Sequence, residues 1–182
     1  NGTALATVTH AAAGTGLTVA ATGGILNDAL VINDVVTTTG ITVTGAMNTG
    51  TDTVLVDANA STATTMAISI AGVTEYETAI INVKGAAGTG STQSIIGGGF
   101  ADTIVYEVTD TLSVADTITG GAGTDILSIK ETAGVDADFT NVTTIETLNF
   151  AAAGPVHVLG VQASEAGINA VIVAVSGVSD ID

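Results

Sequence analysis

The chain has no cysteine, so neither a disulfide nor a thiolate metal site can form in it. It has only 2 Lys plus Arg against 18 Asp plus Glu, a formal charge of −16. So little positive charge leaves nothing to neutralise phosphates, which argues against nucleic acid as a partner. An anionic membrane surface is disfavoured for the same reason. The longest unbroken apolar run, Ala170 to Val175, is far too short to insert across a bilayer. Aromatics are 3% of residues and proline occurs once, so any core must be aliphatic and any turn must rely on glycine or Asx residues. Catalytic motifs are missing too. His10 and His157 are the only histidines, and neither lies in an H-E-x-x-H or G-x-S-x-G context. The chain reads as a non-enzyme.

What is present is aliphatic, β-branched and glycine-punctuated. Apolar residues make up 46% and glycine contributes 23 residues. Short runs such as L-T-V-A at 17–20, A-L-V-I at 29–32, I-T-V-T at 41–44, T-V-L-V at 53–56 and A-I-S-I at 67–70 alternate aliphatic with small or polar residues. That period of two is the mark of a half-buried strand. Further runs at 79–83, 103–106, 126–129, 145–150, 156–159 and 170–175 continue the series. The early runs recur at about 12 to 14 residues with turn residues between them. One helix is expected, over 160–167, with Gly167 ending it. The pattern predicts an all-β fold, a parallel β-solenoid or β-roll with short rungs and Gly/Asp turns. An antiparallel β-sandwich is the alternative.

The chain also repeats itself. G-G-I-L-N-D-A-L-V-I at 23–32 matches G-G-G-F-A-D-T-I-V-Y at 97–106, which sets Asp28 over Asp102. G-T-D-T-V-L-V at 50–56 matches G-T-D-I-L-S-I at 123–129, and A-G-V-T-E-Y-E-T at 71–78 matches T-N-V-T-T-I-E-T at 140–147. S-G-V-S-D-I-D at 176–182 repeats the third motif once more. These matches divide the chain into a tail of an earlier repeat (1–22), two copies (23–96 and 97–160) and the start of a truncated third (161–182). At 182 residues the copies are expected to pack as one domain. The start at Asn1 suggests a processed protein or a piece of a longer one.

One stretch carries possible chemistry. G-G-A-G-T-D-I-L-S at 120–128 satisfies the nonapeptide G-G-x-G-x-D-x-U-x, in which U is a large aliphatic. Nine residues earlier, Asp116-Thr117-Ile118 repeats its second half. Gly97, Gly98 and Asp102 form a further copy in which Phe100 replaces the third glycine. Asp28 and Asp52 sit in weaker copies. Glycines allow turns that present carbonyls, and each Asp adds a charged oxygen, the hard ligands that calcium takes. Asp125 and Asp116 are the first candidate ligands and Asp102 the next. Gly121 and Gly123 supply carbonyls or turn geometry, and Asp28 and Asp52 are equivalents in the first copy.

Residues 120–150, G-G-A-G-T-D-I-L-S-I through D-F-T-N-V-T-T-I-E-T-L-N-F, resemble bacterial surface-layer and large secreted proteins of the RTX, or haemolysin-type calcium-binding, group. A-S-E-A-G-I-N-A-V at 163–171 is similar to a segment common in such proteins. The resemblance implies type I secretion, folding driven by calcium outside the cell, and self-assembly at the bacterial cell surface. The expected function is therefore that of a structural, self-associating extracellular segment with copies of itself as partners. An adhesin or extender module binding glycan or ice is one alternative, and the β-roll appendage of a secreted hydrolase is another. The Thr-x-Thr pairs at Thr7/Thr9, Thr42/Thr44 and Thr117/Thr119 would suit a flat binding ladder, but they are irregularly spaced along the chain. Glu75 and Glu77 read as a solvated or cation-bridged face, and Lys84 and Lys130 as partners for surface carboxylates.

Overall fold

The computed structural model describes residues 5–11, 16–22, 27–34, 40–47, 52–58, 65–75, 78–83, 92–106, 112–130, 133–151 and 156–173. Strands dominate. The first half holds β1 (Leu5–His10), β2 (Leu17–Thr22), β3 (Ala29–Asp34), β4 (Gly40–Ala46), β5 (Thr53–Ala58), β6 (Thr65–Thr74) and β7 (Thr78–Val83). Then come β8 (Thr92–Ile96), β9 (Ala101–Tyr106), β10 (Thr117–Thr119), β11 (Ile126–Ile129) and β12 (Ala133–Gly134). The last coils add β13 (Val142–Thr143), β14 (Thr147–Phe150), β15 (Val156–His157) and β16 (Ala170–Val173). Lys84 and Glu77 lie outside the described residues.

Up to β11 successive strands go to opposite sheets, and β12 and β15 pair in a separate two-stranded one. An eight-stranded sheet has the order β1-β3-β5-β7-β9-β11-β14-β16, and a six-stranded sheet runs β13-β10-β8-β6-β4-β2. Every pairing in them is parallel, for example Ala29 with Thr53 and Ile95 with Ile118. The molecule is a parallel β-solenoid. The sandwich alternative fails because a chain that coils in one sense returns each strand in the same direction. The short spacing between aliphatic runs is half a coil, and a full coil takes 24 residues from Asp28 to Asp52 and 23 from Asp102 to Asp125.

Stacking in register turns the period of two into columns. Ile41, Ile68, Ile95, Ile118 and Val142 occupy one register position of the six-stranded sheet, and each is at most 2% exposed. Facing them, Ile32, Val56, Ile81, Ile104, Leu127 and Leu148 form a column of the eight-stranded sheet, each fully buried. All belong to one core. Burying each such side chain is worth about 1.5–3 kcal/mol, so the columns are the main source of stability. Aliphatic residues suit a core this narrow because their branches interlock between coils 4.8 Å or so apart.

The last coils depart from pure strand. A 3₁₀ turn at Asp136–Phe139 packs against the helix α1 (Val161–Glu165), which is the helix expected near 160–167, and Gly167 follows it with φ of +100°. Gly160, at the helix N-terminus, has no side chain to cap it. Asp136 from the preceding coil does so instead: Oδ1 accepts from the N–H of Gly160 (2.7 Å) and Ala163 (3.0 Å), and Oδ2 from Gln162 (3.1 Å). Among the described residues no helix is long and apolar enough to cross a membrane.

Candidate functional site

The candidate aspartates are all buried, Gly121 is half-buried and Gly123 exposed, and the aspartates form columns rather than a ring. Asp52 Oδ1 accepts the backbone N–H of Asp28 at 2.7 Å, and Asp125 Oδ1 accepts that of Asp102 at 2.8 Å. Glu146 Oε2 in turn accepts the N–H of Asp125 at 2.7 Å. Each acid clips itself to the acid one coil earlier. The reason is local: where the chain enters a strand, its N–H points along the solenoid axis, and a buried donor needs an acceptor.

Asp116 belongs to a different column. It stands immediately before β10 in the six-stranded sheet, whereas Asp125 stands before β11 in the eight-stranded one. Its Oδ1 accepts from the Gln93 N–H at 2.8 Å, and its Oδ2 from the N–H and hydroxyl of Ser113 at 2.8 and 3.1 Å. The nine-residue spacing that links Asp116 to Asp125 in the sequence therefore places them on opposite sheets.

The first and second copies are also offset. Ala29, Thr53, Thr78 and Ala101 share one register position. Asp28 precedes that position and Asp102 follows it, so these matched aspartates lie two register steps apart. Both face the core, because a shift of two preserves the side-chain alternation.

Gly120, Gly121 and Gly123 are needed for the stacking itself. A Cβ on Gly120 would lie 2.0 Å from the Thr144 carbonyl oxygen and 2.5 Å from Asp125 Oδ2. Gly121 and Gly123 adopt φ of +117° and +129°, and a Cβ on either would meet the Gly98 or Phe100 carbonyl of the coil below at 2.0 or 2.4 Å. The turn is drawn onto its neighbour by the Ala122 N–H donating to Gly98 O at 3.0 Å. These glycines make room for the adjacent coil and for the carboxylate.

One oxygen stands apart. Asp102 Oδ2 accepts the Gly98 N–H at 2.6 Å, but the corresponding Gly121 N–H donates instead to Thr144 Oγ1 at 2.8 Å. Thr144 takes φ of +52°, which brings its hydroxyl to that turn. Asp125 Oδ2 is left buried with no hydrogen-bond partner. Burial first, offset by the hydrogen bond from Asp102 and reinforced by the charges of Asp102 and Glu146, pushes the Asp125 carboxyl up to about 6.

As a calcium site the arrangement is incomplete. Among the described residues no three His, Cys, Asp or Glu side chains gather as a cation site. Calcium takes six to eight oxygens, and several carboxylate oxygens here already accept backbone N–H groups. The oxygen of Asp125 that has no donor, with Asp102 and Glu146 one coil to either side, is a place where a cation would meet a carboxylate between two further acids.

Sequence reasoning passed over three of these residues. Glu146 was legible only as a repeated motif position, and its place above Asp125 follows from the short 21-residue coil between them. Gln93 is fully buried, with neither side-chain amide atom hydrogen-bonded. Nothing in its T-Q-S-I-I setting distinguishes it beyond a polar residue at an inward position. Asp136 caps a helix more than twenty residues away, which no local pattern encodes.

The fold defines the class, a parallel β-solenoid with two main sheets and buried carboxylate columns. No family model, curated protein or solved structure matches the chain.

Proposed function

We propose that the chain is a structural segment of an extracellular, self-assembling bacterial surface protein, in the manner of the RTX-type surface layers it resembles. Its stacking of parallel coils, each covering the next, is the observation that carries this reading. At one end, β1 is the edge strand of its sheet among the described residues, Leu5 is 67% exposed, and a cleft of about 310 Å³ opens among Leu5, Val8, Val19, Leu30 and Met47. At the other, Val171 shares the register of the fully buried Leu148 yet is 36% exposed. Such core positions and strand edges are covered when a further coil, of the same chain or of another copy, stacks on them. The absence of cysteine, the charge of −16 and the absence of a catalytic constellation suit an exported structural role.

Calcium acts at Asp125 in this reading. A divalent ion there relieves the repulsion among Asp102, Asp125 and Glu146, with backbone carbonyls and water completing its shell. Electron microscopy and sedimentation of the chain in millimolar calcium and in EDTA test the proposal. Ordered assemblies that need calcium are expected, with Asp125→Asn losing the calcium response. Monomers under both conditions would overturn the assembly reading, and identical assembly in EDTA would remove the ion from it.

A further inference from the structure

The six-stranded sheet carries no charge. Its strands β2, β4, β6, β8, β10 and β13 contain no Asp, Glu, Lys, Arg or His, although the chain has 18 acidic residues. They contain no aromatic residue either. Their outward side chains fall into register, and the central column reads Thr18, Thr42, Ser69, Ile96, Thr119 and Thr143. The Thr-x-Thr pairs at 42/44 and 117/119, irregular along the chain, thus share this sheet, while Thr7/Thr9 lie on the other. The opposite sheet is different, since Asp57 stands in register between Asn33 and Asn82.

We infer that this uncharged face is a lateral docking surface for a second copy of the chain. Charge selects the occupant. Two bodies of charge −16 repel, and the contact that brings fewest like charges together is the one between the faces that have none. Glu75, just past the end of β6, stands at the rim. A cationic partner would favour the acidic surfaces, and a sugar ring has no aromatic side chain here on which to stack.

Some of the hydroxyls already have partners within the sheet. Thr143 Oγ1 lies 3.3 Å from Thr119 Oγ1 and 3.4 Å from the Ile118 carbonyl, and Thr74 Oγ1 donates to Gly45 O at 3.5 Å. Hydroxyls that have partners within the ladder can be covered without leaving an orphaned donor. Ile96, 39% exposed in the middle of the column, supplies an apolar centre. Pairing about a two-fold axis makes the same patch meet itself. The patch spans five strand spacings, roughly 24 Å by 17 Å. That lies at the low end of interface sizes and implies weak pairing that becomes strong only when many coils act together.

This inference rests on the self-assembly reading but names a different surface from the solenoid ends. The test is sedimentation equilibrium of the full chain, in EDTA, from about 20 μM to 1 mM and at 0.05 and 0.5 M NaCl. Wild type should dimerise at the upper concentrations, and more strongly at high salt. Thr42→Asp with Thr119→Asp should weaken the dimer by about a hundredfold, since each buries an unpaired charge. Thr42→Val with Thr119→Val should preserve it, and Ile80→Asp on the opposite sheet should leave it unchanged. Circular dichroism establishes that each variant is folded. A wild type that stays monomeric at 1 mM overturns the inference, as does a dimer broken by Ile80→Asp alone or indifferent to the charged pair. Ice shaping by a monomeric wild type would assign the face to ordered water instead. Filaments that persist in the charged variant would leave the end-stacking reading intact while this face falls. A lateral dimer without ordered assemblies would do the reverse.

Discussion

The backbone N–H of Asp102 donates to Oδ1 of Asp125, 23 residues further along the chain, at 2.8 Å. One carboxylate oxygen thereby fastens two coils together, while its partner oxygen is buried without a donor. Most of what is testable about the column follows from this division of labour.

The pH dependence should run against the usual direction for an acid. The Asp125 carboxyl titrates near 6 when folded and near 3.8 when unfolded. Because the folded value is the higher one, the stabilising contribution is complete below about 3.8 and is lost as the pH rises through 6. Two units correspond to a ceiling of about 3 kcal/mol, lowered by any water or cation that reaches the carboxylate. Urea unfolding between pH 4 and 8 in EDTA should show this decline, and Asp125→Asn should flatten it while keeping the acceptor for Asp102. Asp125→Ala, which strands the Asp102 N–H, should cost about 1–3 kcal/mol throughout.

Glycine substitutions should separate stacking from flexibility. Gly121→Ala places a methyl at a φ of +117° and 2.0 Å from the Gly98 carbonyl, so the two coils must part. A loss of more than about 2 kcal/mol is expected in thermal unfolding. Gly99→Ala, where a Cβ would meet nothing within 4 Å, should be neutral within about 0.5 kcal/mol.

Asp136 should behave in the opposite sense to Asp125. Burial raises its carboxyl, but the N–H groups of Ala163, Gln162, Gly160 and Val161 outweigh that and hold it below the usual range. Its contribution is thus present above the unfolded value of 3.8 and is lost as the pH falls through the lower folded one. Amide exchange read at Gln162 and Ala163 should quicken in Asp136→Ala by about tenfold, the scale of one lost helix cap. The columns in the rest of the solenoid should keep their protection.

Gln93 is a cost within the core. Its side-chain amide is buried in register with Met66 and has no hydrogen-bond partner at either atom. Gln93→Met keeps the volume and removes the desolvated polar group, so a gain of about 1 kcal/mol in urea unfolding is expected. A loss of similar size would mean that the amide has a polar partner such as a buried water.

Composition and alternation were enough to reach strands and short rungs, because side-chain period and β-branching are local properties that survive in any register; the glycine-aspartate turns favoured a parallel solenoid, and the parallel pairing itself excluded the sandwich. Ile41 and Ile68 fall on the aliphatic side of runs that alternate, and the helix at Val161–Glu165 was legible from its closing glycine, whereas β8 with Ile95 and β10 with Ile118 lie outside the runs read from the sequence. Which residues share a column was not legible. The coil shortens from 24 residues between Asp28 and Asp52 to 21 between Asp125 and Glu146, so matching motifs need not stack. Asp28 and Asp102 look equivalent and lie two register steps apart; Asp116 and Asp125 look like one repeat and stand on opposite sheets. Thr42 and Thr119, from Thr-x-Thr pairs that are irregularly spaced along the chain, share a column. Local chemistry determined which way each side chain faces, and coil length, a property of the whole stack, decided which side chains meet.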